Sequence, residues 1–337
     1  MAQDHIQALN YSAHAIEDLQ ELARSLRQVM PAGAATLLRI CELLDRSVKF
    51  ILPNCADFFD VEKLDQKHLD LVHLPFPIVA FEAPWEKDAP LLEINGQMQE
   101  RSTRRIALCW EPAAFELIPG MSGVLEHFPE GGVFILPVYW LQTTGTWQVP
   151  IGCVFQPYKN TVLVPDDDAL LPASLAALEK MRDAGRTTAK VKHYRSEPVP
   201  ILAEAFEQLV AKVGQNDALM QIILDCGDEA NMLLQSCCMI NCSNIAATAL
   251  PAPVALNRKR EARGKQPFFE YKVLQLSDEK PATSIGPGSG GTHASPRMHL
   301  RRGYIHTRKA TGRSHWVSAT VVNSGSTRGV VEKDYLV

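Results

Sequence analysis

The chain has 337 residues, of which 46% are hydrophobic and 21% charged; that composition excludes a largely disordered chain, a collagen-like repeat and a small disulfide scaffold, and the length predicts about two domains. The net charge of −4 is unevenly spread: residues 258–337 hold 15 Lys and Arg against 6 Asp and Glu, a charge of +9, which leaves −13 on the rest. An acidic body with a basic end points to a polyanion partner or to a contact between the two parts.

Residues 1–55 read as a helical hairpin. Ile16, Leu19, Leu22, Ala23, Leu26 and Met30 recur at helical spacing. Met30-Pro31-Ala32-Gly33 then breaks the chain. A second helix is expected to place Leu37, Ile40, Cys41, Leu44, Val48 and Ile51 on one stripe. Two such helices pack on each other or on a partner, including a second copy of the chain.

Residues 70–250 read as an α+β core. Its candidate strands are Pro77–Ala83, Arg105–Trp110, Gly132–Leu141, Thr146–Phe155 and Asn160–Val164, with turn signals at Glu130-Gly131-Gly132 and Thr144-Gly145. Short strands at this spacing predict an antiparallel sheet. Asp166-Asp167-Asp168 precedes Leu170, Leu171, Leu175 and Leu178 and reads as the capped start of a helix; three carboxylates in a row also suit a metal. Residues 196–247 turn helical, with Ile201, Leu202, Ala205, Phe206, Leu209, Val210 and Val213 in register and Gly214 as a stop. Asn216 or Asp217 is expected to cap the next helix, whose apolar length predicts a course across the sheet. Asp225, Asp228 and Glu229 share one face of it and read as a solvated acidic face, with Mg²⁺ binding as the sharper alternative. Cys226, Cys237, Cys238 and Cys242 lie in the same run and read as buried core.

Pro251 and Pro253 end the helical region, and residues 256–337 form a basic C-terminal β segment that can complete the core sheet. Phe268–Leu276, Gly303–Thr307 and Ser314–Val322 read as strands, and 281–291 as a Gly/Pro/Ser-rich linker. Arg258, Lys259, Arg260, Arg263 and Lys265 put five cations within eight residues, a field that attracts phosphate. A second cluster holds Arg297, Arg301, Arg302 and Arg308; guanidinium groups suit bidentate phosphate contacts. Tyr304 and Trp316 can stack on bases. These residues are the candidate nucleic-acid-binding set.

His299 and His306, with Arg301 or Arg302, also match in kind a metal-independent ribonuclease, which needs a general acid, a general base and cations for the phosphorane charge. Seven residues apart, the two histidines face opposite ways on an extended strand, so pairing them requires a turn near Gly303. A metal site from His293, His299, His306 and His315 is conceivable. No G-x-x-x-x-G-K-[ST], G-x-S-x-G or H-E-x-x-H occurs.

Leu256-Asn257-Arg258-Lys259-Arg260, Arg263-Gly264-Lys265-Gln266-Pro267 and Tyr271-Lys272-Val273-Leu274, together with His293-x-Ser295-Pro296-Arg297-x-His299-Leu300-Arg301-Arg302-Gly303, resemble a family of uncharacterised proteins from tailed phages and prophages. Leu74-Pro75-Phe76-Pro77 followed by Glu82 resembles a strand in the middle of those proteins. The chain departs from that pattern at Gly303-Tyr304-Ile305-His306, where relatives often carry Gly-His and a basic pair. The resemblance implies a phage-encoded protein in a bacterial cytoplasm and assigns no catalytic residue.

The start Met1-Ala2-Gln3-Asp4-His5 lacks the features of a signal peptide, and no run of 18 apolar residues predicts a membrane span. Eight cysteines fit reduced thiols in the cytosol. The reading is therefore an α+β, nucleic-acid-binding accessory protein acting in phage replication, transcription or counter-defence. It assigns no cofactor, no metal and no membrane. Its alternatives are the ribonuclease on His299 and His306, and an inhibitor that meets a host protein through the acidic body. Homo-oligomerisation is compatible with each.

Overall fold

The computed structural model describes residues 7–60, 64–86, 91, 93–94, 96–98, 100–162, 171–187, 192–276, 299–301, 304–307, 311–317 and 320–322. The apolar stripes near the N-terminus form α1 (Tyr11–Leu26) and α2 (Pro31–Arg46). Pro31 occupies the first position of α2, where its missing N–H costs nothing. The second stripe is shorter than its spacing predicts. Val48 and Ile51 belong to a strand, β1 (Val48–Ile51), because Val-Lys-Phe-Ile has strand character and finds a partner on both edges.

A short α3 (Gln66–Leu69), with Asp65 at its N-cap, precedes β2 (Ile78–Pro84). A small hairpin of β3 (Glu93–Ile94) and β4 (Gln97–Met98) leads into β5 (Ser102–Trp110). β6 (Gly132–Leu141) matches its predicted bounds. The run predicted as one strand from Thr146 is two, β7 (Thr146–Gln148) and β8 (Gly152–Pro157), both paired with β6. Pro150 lies in the gap, where a missing N–H cannot serve a ladder. No strand forms over Asn160–Val162, the described part of the next candidate. Asn160 instead spends its amide on the backbone of Thr161 and Arg195.

α4 (Pro172–Asp183) starts on its own Pro172; Asp166, Asp167 and Asp168 lie outside the described residues. The stretch predicted helical over 196–247 begins and ends as strands. β9 (Glu197–Pro200) comes first, then α5 (Ala203–Val213) and α6 (Gln215–Ile240), then β10 (Ile245–Leu250). Gly214 stops α5 at φ 87° and is itself the cap of α6, so Asn216 and Asp217 fall inside the first turn. α7 (Val254–Glu261) and β11 (Tyr271–Leu276) follow. The last described elements are β12 (His299–Arg301), β13 (Tyr304–Thr307), β14 (Ser314–Val317) and β15 (Thr320–Val322).

Among the described residues nine strands form one sheet in the order β10-β11-β1-β2-β5-β6-β8-β9, with β7 also on β6. The fold is α+β, and the sheet is mixed where the sequence predicted antiparallel. β1 runs parallel to both β2 and β11. The crossover through α3 supplies the return path that parallel pairing with β2 requires. β11 enters the sheet between β10 and β1, so part of the basic segment completes the core.

The central strands are buried on both faces, which is why they read as nearly continuous apolar runs. Ile78, Ala80, Ile106, Leu108, Phe134 and Leu136 face α1 and α2. Val79, Phe81, Ala107, Cys109, Val133 and Ile135 face α6. Gly152 sets the depth of α6: a Cβ there would sit 2.5 Å from Cδ1 of Ile222 and 2.8 Å from the Val199 carbonyl oxygen. Cys226, Cys237, Cys238 and Cys242 are buried in that layer, as expected of small apolar side chains. No described helix is long and apolar enough to cross a membrane.

Among the described residues two glutamates are buried completely, one per face. Glu82 on β2 accepts from the backbone N–H of Tyr11 (3.0 Å) and Ser12 (2.9 Å), from the Ser12 hydroxyl (2.6 Å) and from the Tyr271 hydroxyl (2.9 Å). It therefore caps the start of α1 and ties it to β11. Glu229 lies on the other face, on α6.

Candidate functional site

The first basic cluster is mounted on α7, which connects the neighbouring strands β10 and β11. Asn257 fixes the base of the connection by exchanging two hydrogen bonds with the Phe268 backbone, each 2.8 Å. Arg260 points inward. Its Nη2 lies 2.7 Å from Oε1 of Glu17 on α1, its Nε donates to the Gln266 carbonyl, and its guanidinium covers the Phe268 ring at 4.0 Å. Only 12% of its side chain is exposed. Gln266 adds a hydrogen bond to Asp45 of α2. With the fifth cation used as a brace, Arg258, Lys259, Arg263 and Lys265 remain exposed along α7 and its following turn. None of the four takes part in an ion pair among the described residues.

The second cluster is mounted elsewhere. β13 and β14 form a hairpin that places His306 opposite His315, with ring centroids 4.9 Å apart. Asn244, just after α6, exchanges two 2.7 Å hydrogen bonds with the Trp316 backbone, and Ser243 donates to Ser314. Ile305 is buried in the α6-side core and Trp316 packs against it. Trp316 is thus half-buried, as is Tyr304. His299 and Arg301 belong to β12, paired with Val322 and Thr320 of β15 in a different small sheet. Arg297, Arg302 and Arg308 lie outside the described residues.

The structure therefore brings His306 to His315 and puts His299 on another strand. The two mounts also lie on opposite faces of the main sheet: α7 is tied to α1 and α2, and the β13–β14 hairpin to the end of α6.

A third constellation lies under α6, where the sequence predicted a solvated acidic face. Glu229 of that face is buried completely, while Asp225 and Asp228 are half-buried. Arg105 Nη1 lies 3.1 Å from Asp228 Oδ2 and 3.0 Å from Glu229 Oε1, and the guanidinium sits 5.1 Å from the Trp85 ring centre. Arg186 approaches Asp228 at 3.7 Å. Burial pushes the Glu229 carboxyl up to about 7, against the pull of Arg105 and with the push of Asp228. Arg105 Nε is buried without a hydrogen-bond partner. Asp228 and Glu229 are thus spent on an arginine, and no metal-holding group of His, Cys, Asp or Glu occurs among the described residues.

Strand parity carried a signal for this cluster. Ala107 and Cys109 face α6, so Arg105 on the same strand must face it too and requires a carboxylate there.

A cavity of about 320 Å³ opens beside Arg105, lined also by Glu100, Tyr139, Arg186, Asp225 and Asp228. A smaller one of about 160 Å³ is lined by residues of α4 and α6 together with Lys192, His193 and Tyr194. Burial lowers the affinity of His193 for a proton, and the charge on Arg182 adds to that. No family model, curated protein or solved structure matches the chain.

Proposed function

We propose that this protein binds nucleic acid through the exposed cations of α7 and its turn, as an accessory protein of a phage in a bacterial cytoplasm. One observation carries the reading: Arg260 braces α7 against α1 while Arg258, Lys259, Arg263 and Lys265 stay exposed and outside any ion pair among the described residues. Cations held in place lose little on meeting phosphate, and each neutralised phosphate releases counterions. The resemblance to tailed-phage proteins, carried partly by these residues, implies a phage-encoded protein, and the role we assign it lies in replication, transcription or counter-defence.

The test is a salt titration of binding to labelled single- and double-stranded DNA and RNA. Four phosphate contacts predict a slope of roughly −3.6 in log affinity against log salt for duplex DNA. Reversing Arg258 and Arg263 to Glu is expected to abolish binding at moderate salt with no change in melting temperature. Unchanged affinity in that variant would overturn the assignment to α7. Arg301→Glu, measured in parallel, reports whether the second cluster contributes, and the recovered RNA is inspected for cutting.

A further inference from the structure

The main sheet has two outer strands, and they differ in how they meet their surroundings. β9 closes one side with four residues, Glu-Pro-Val-Pro. The Ile201 N–H, just after β9, donates to the Ile151 carbonyl, just before β8. By alternation Pro198 and Pro200 turn their nitrogens outward, where a proline offers no donor. Proline, charge and shortness are the means by which a sheet edge avoids recruiting another strand.

β10 ends the sheet on the other side and uses none of them. Its six residues, Ile-Ala-Ala-Thr-Ala-Leu, include no charge and no proline. Ala246, Ala247, Thr248 and Ala249 are exposed, and among the described residues β11 is the one strand paired with β10. The uncharged stretch continues through Pro251, Ala252 and Pro253 to Val254 and Leu256 at the start of α7, which are 65% and 46% exposed. Apolar surface of this kind, beside an open edge, marks a protein contact.

An open edge is filled by extended backbone, which offers N–H and C=O groups in alternation. Two main sheets of this chain have two ways to join at β10. Joining β10 to β9 would repeat without closing, and Pro198 and Pro200 oppose it. Joining β10 to β10 closes on itself and sets no charge against a like charge. We propose that β10 pairs with β10 of a second copy of this chain, antiparallel about a twofold axis, so that the dimer has one continuous sheet. An axis relating antiparallel neighbours in one sheet is perpendicular to it, so both copies keep α1 and α2 on the same side. Both α7 segments, tied to that layer, then present their cations on one side of the dimer. The pairing itself does not rest on the nucleic-acid reading.

The experiment is sedimentation and light scattering of the full chain over a range of concentrations, without nucleic acid. A concentration-dependent dimer is expected. Ala247 and Ala249 lie on one face of β10, two residues apart. Changing both to Glu sets carboxylates against their own counterparts and is expected to weaken dimerisation roughly tenfold or more, as is changing both to Lys. An equal mixture of the Glu and Lys forms is expected to regain a dimer with one copy of each. Hydrogen exchange on the unmodified chain needs no variant to fold: outward amides of residues 246–249 should exchange more slowly as concentration rises. A monomer at every concentration, which would leave the edge to a strand of a different protein, would overturn the proposal. So would a dimer unaltered in the folded Glu and Lys forms, a mixture that stays monomeric, or exchange at β10 independent of concentration. None of these outcomes decides whether α7 binds nucleic acid, so the two readings fail separately.

Discussion

Among the described residues the two faces of the sheet each bury one glutamate completely, and they do so by opposite means. Glu82 is met by donors that carry no net charge: two N–H groups of the first turn of α1 and the hydroxyls of Ser12 and Tyr271. Glu229 is met by a guanidinium, with Asp228 crowding the same cation. A carboxylate that gathers neutral donors from two remote elements fastens those elements together. A carboxylate paired with one shared charge sits beside a cavity, where its environment can respond to whatever enters. The comparison separates a structural joint from a candidate site without reference to any homologue.

Breaking the joint should have the larger effect. Glu82→Ala leaves two N–H groups and two hydroxyls buried without an acceptor, and each such group costs about 1–3 kcal/mol. A loss above about 3 kcal/mol in denaturant unfolding is expected, with α1 no longer fixed to β11. Glu82→Gln keeps one acceptor oxygen and should recover part of that loss. If Glu82→Ala unfolds like the wild type, the joint is not where the stability lies.

The Glu229 side of the comparison is sharpened by pH. Its carboxyl titrates near 7 in the folded chain and near the ordinary glutamate value, about 4.3, when unfolded. Between those values the folded state binds more protons than the unfolded one. Stability from this group is therefore present at low pH and is lost as pH rises from about 4.3 through about 7. Glu229→Gln removes the titration. Relative to the wild type it should be less stable near pH 5 than near pH 8, the difference between the two pH values being at most about 3 kcal/mol. A difference that stays constant across that range would show that Glu229 is ionised at both ends.

Much of the fold is legible in the sequence, and what is missing has a common physical cause. The α1–α2 hairpin, β6 and the stop at Gly214 follow from local periodicity and from one glycine. β1 does not. Val48 and Ile51 continue the spacing of the α2 stripe, and only pairing with β2 and with the distant β11, Lys49 opposite Tyr271, makes them a strand. The same limit hides the sites. The five cations of the α7 region are plain in the sequence, but that Arg260 faces Glu17 depends on a contact 243 residues apart. Asp225, Asp228 and Glu229 share a helical face by spacing alone; which side of α6 meets the sheet depends on Arg105, 124 residues earlier than Glu229. Strand parity at Arg105 was the one local clue.

The smallest predicted effect tests why α6 carries a glycine beside its charged face. Alanine is a better helix former than glycine, and a helical position with room for a methyl group gains about 0.5–1 kcal/mol from the change. Gly227 has that room, since among the described residues nothing beyond its own stretch of helix lies within 4 Å of the added Cβ. Gly227→Ala is therefore expected to raise the melting temperature. A stabilising substitution at a residue that packing does not demand means that glycine is retained there at a cost to the helix. A fall in melting temperature would instead mean that α4 closes on α6 at Gly227 and leaves no room for the methyl group.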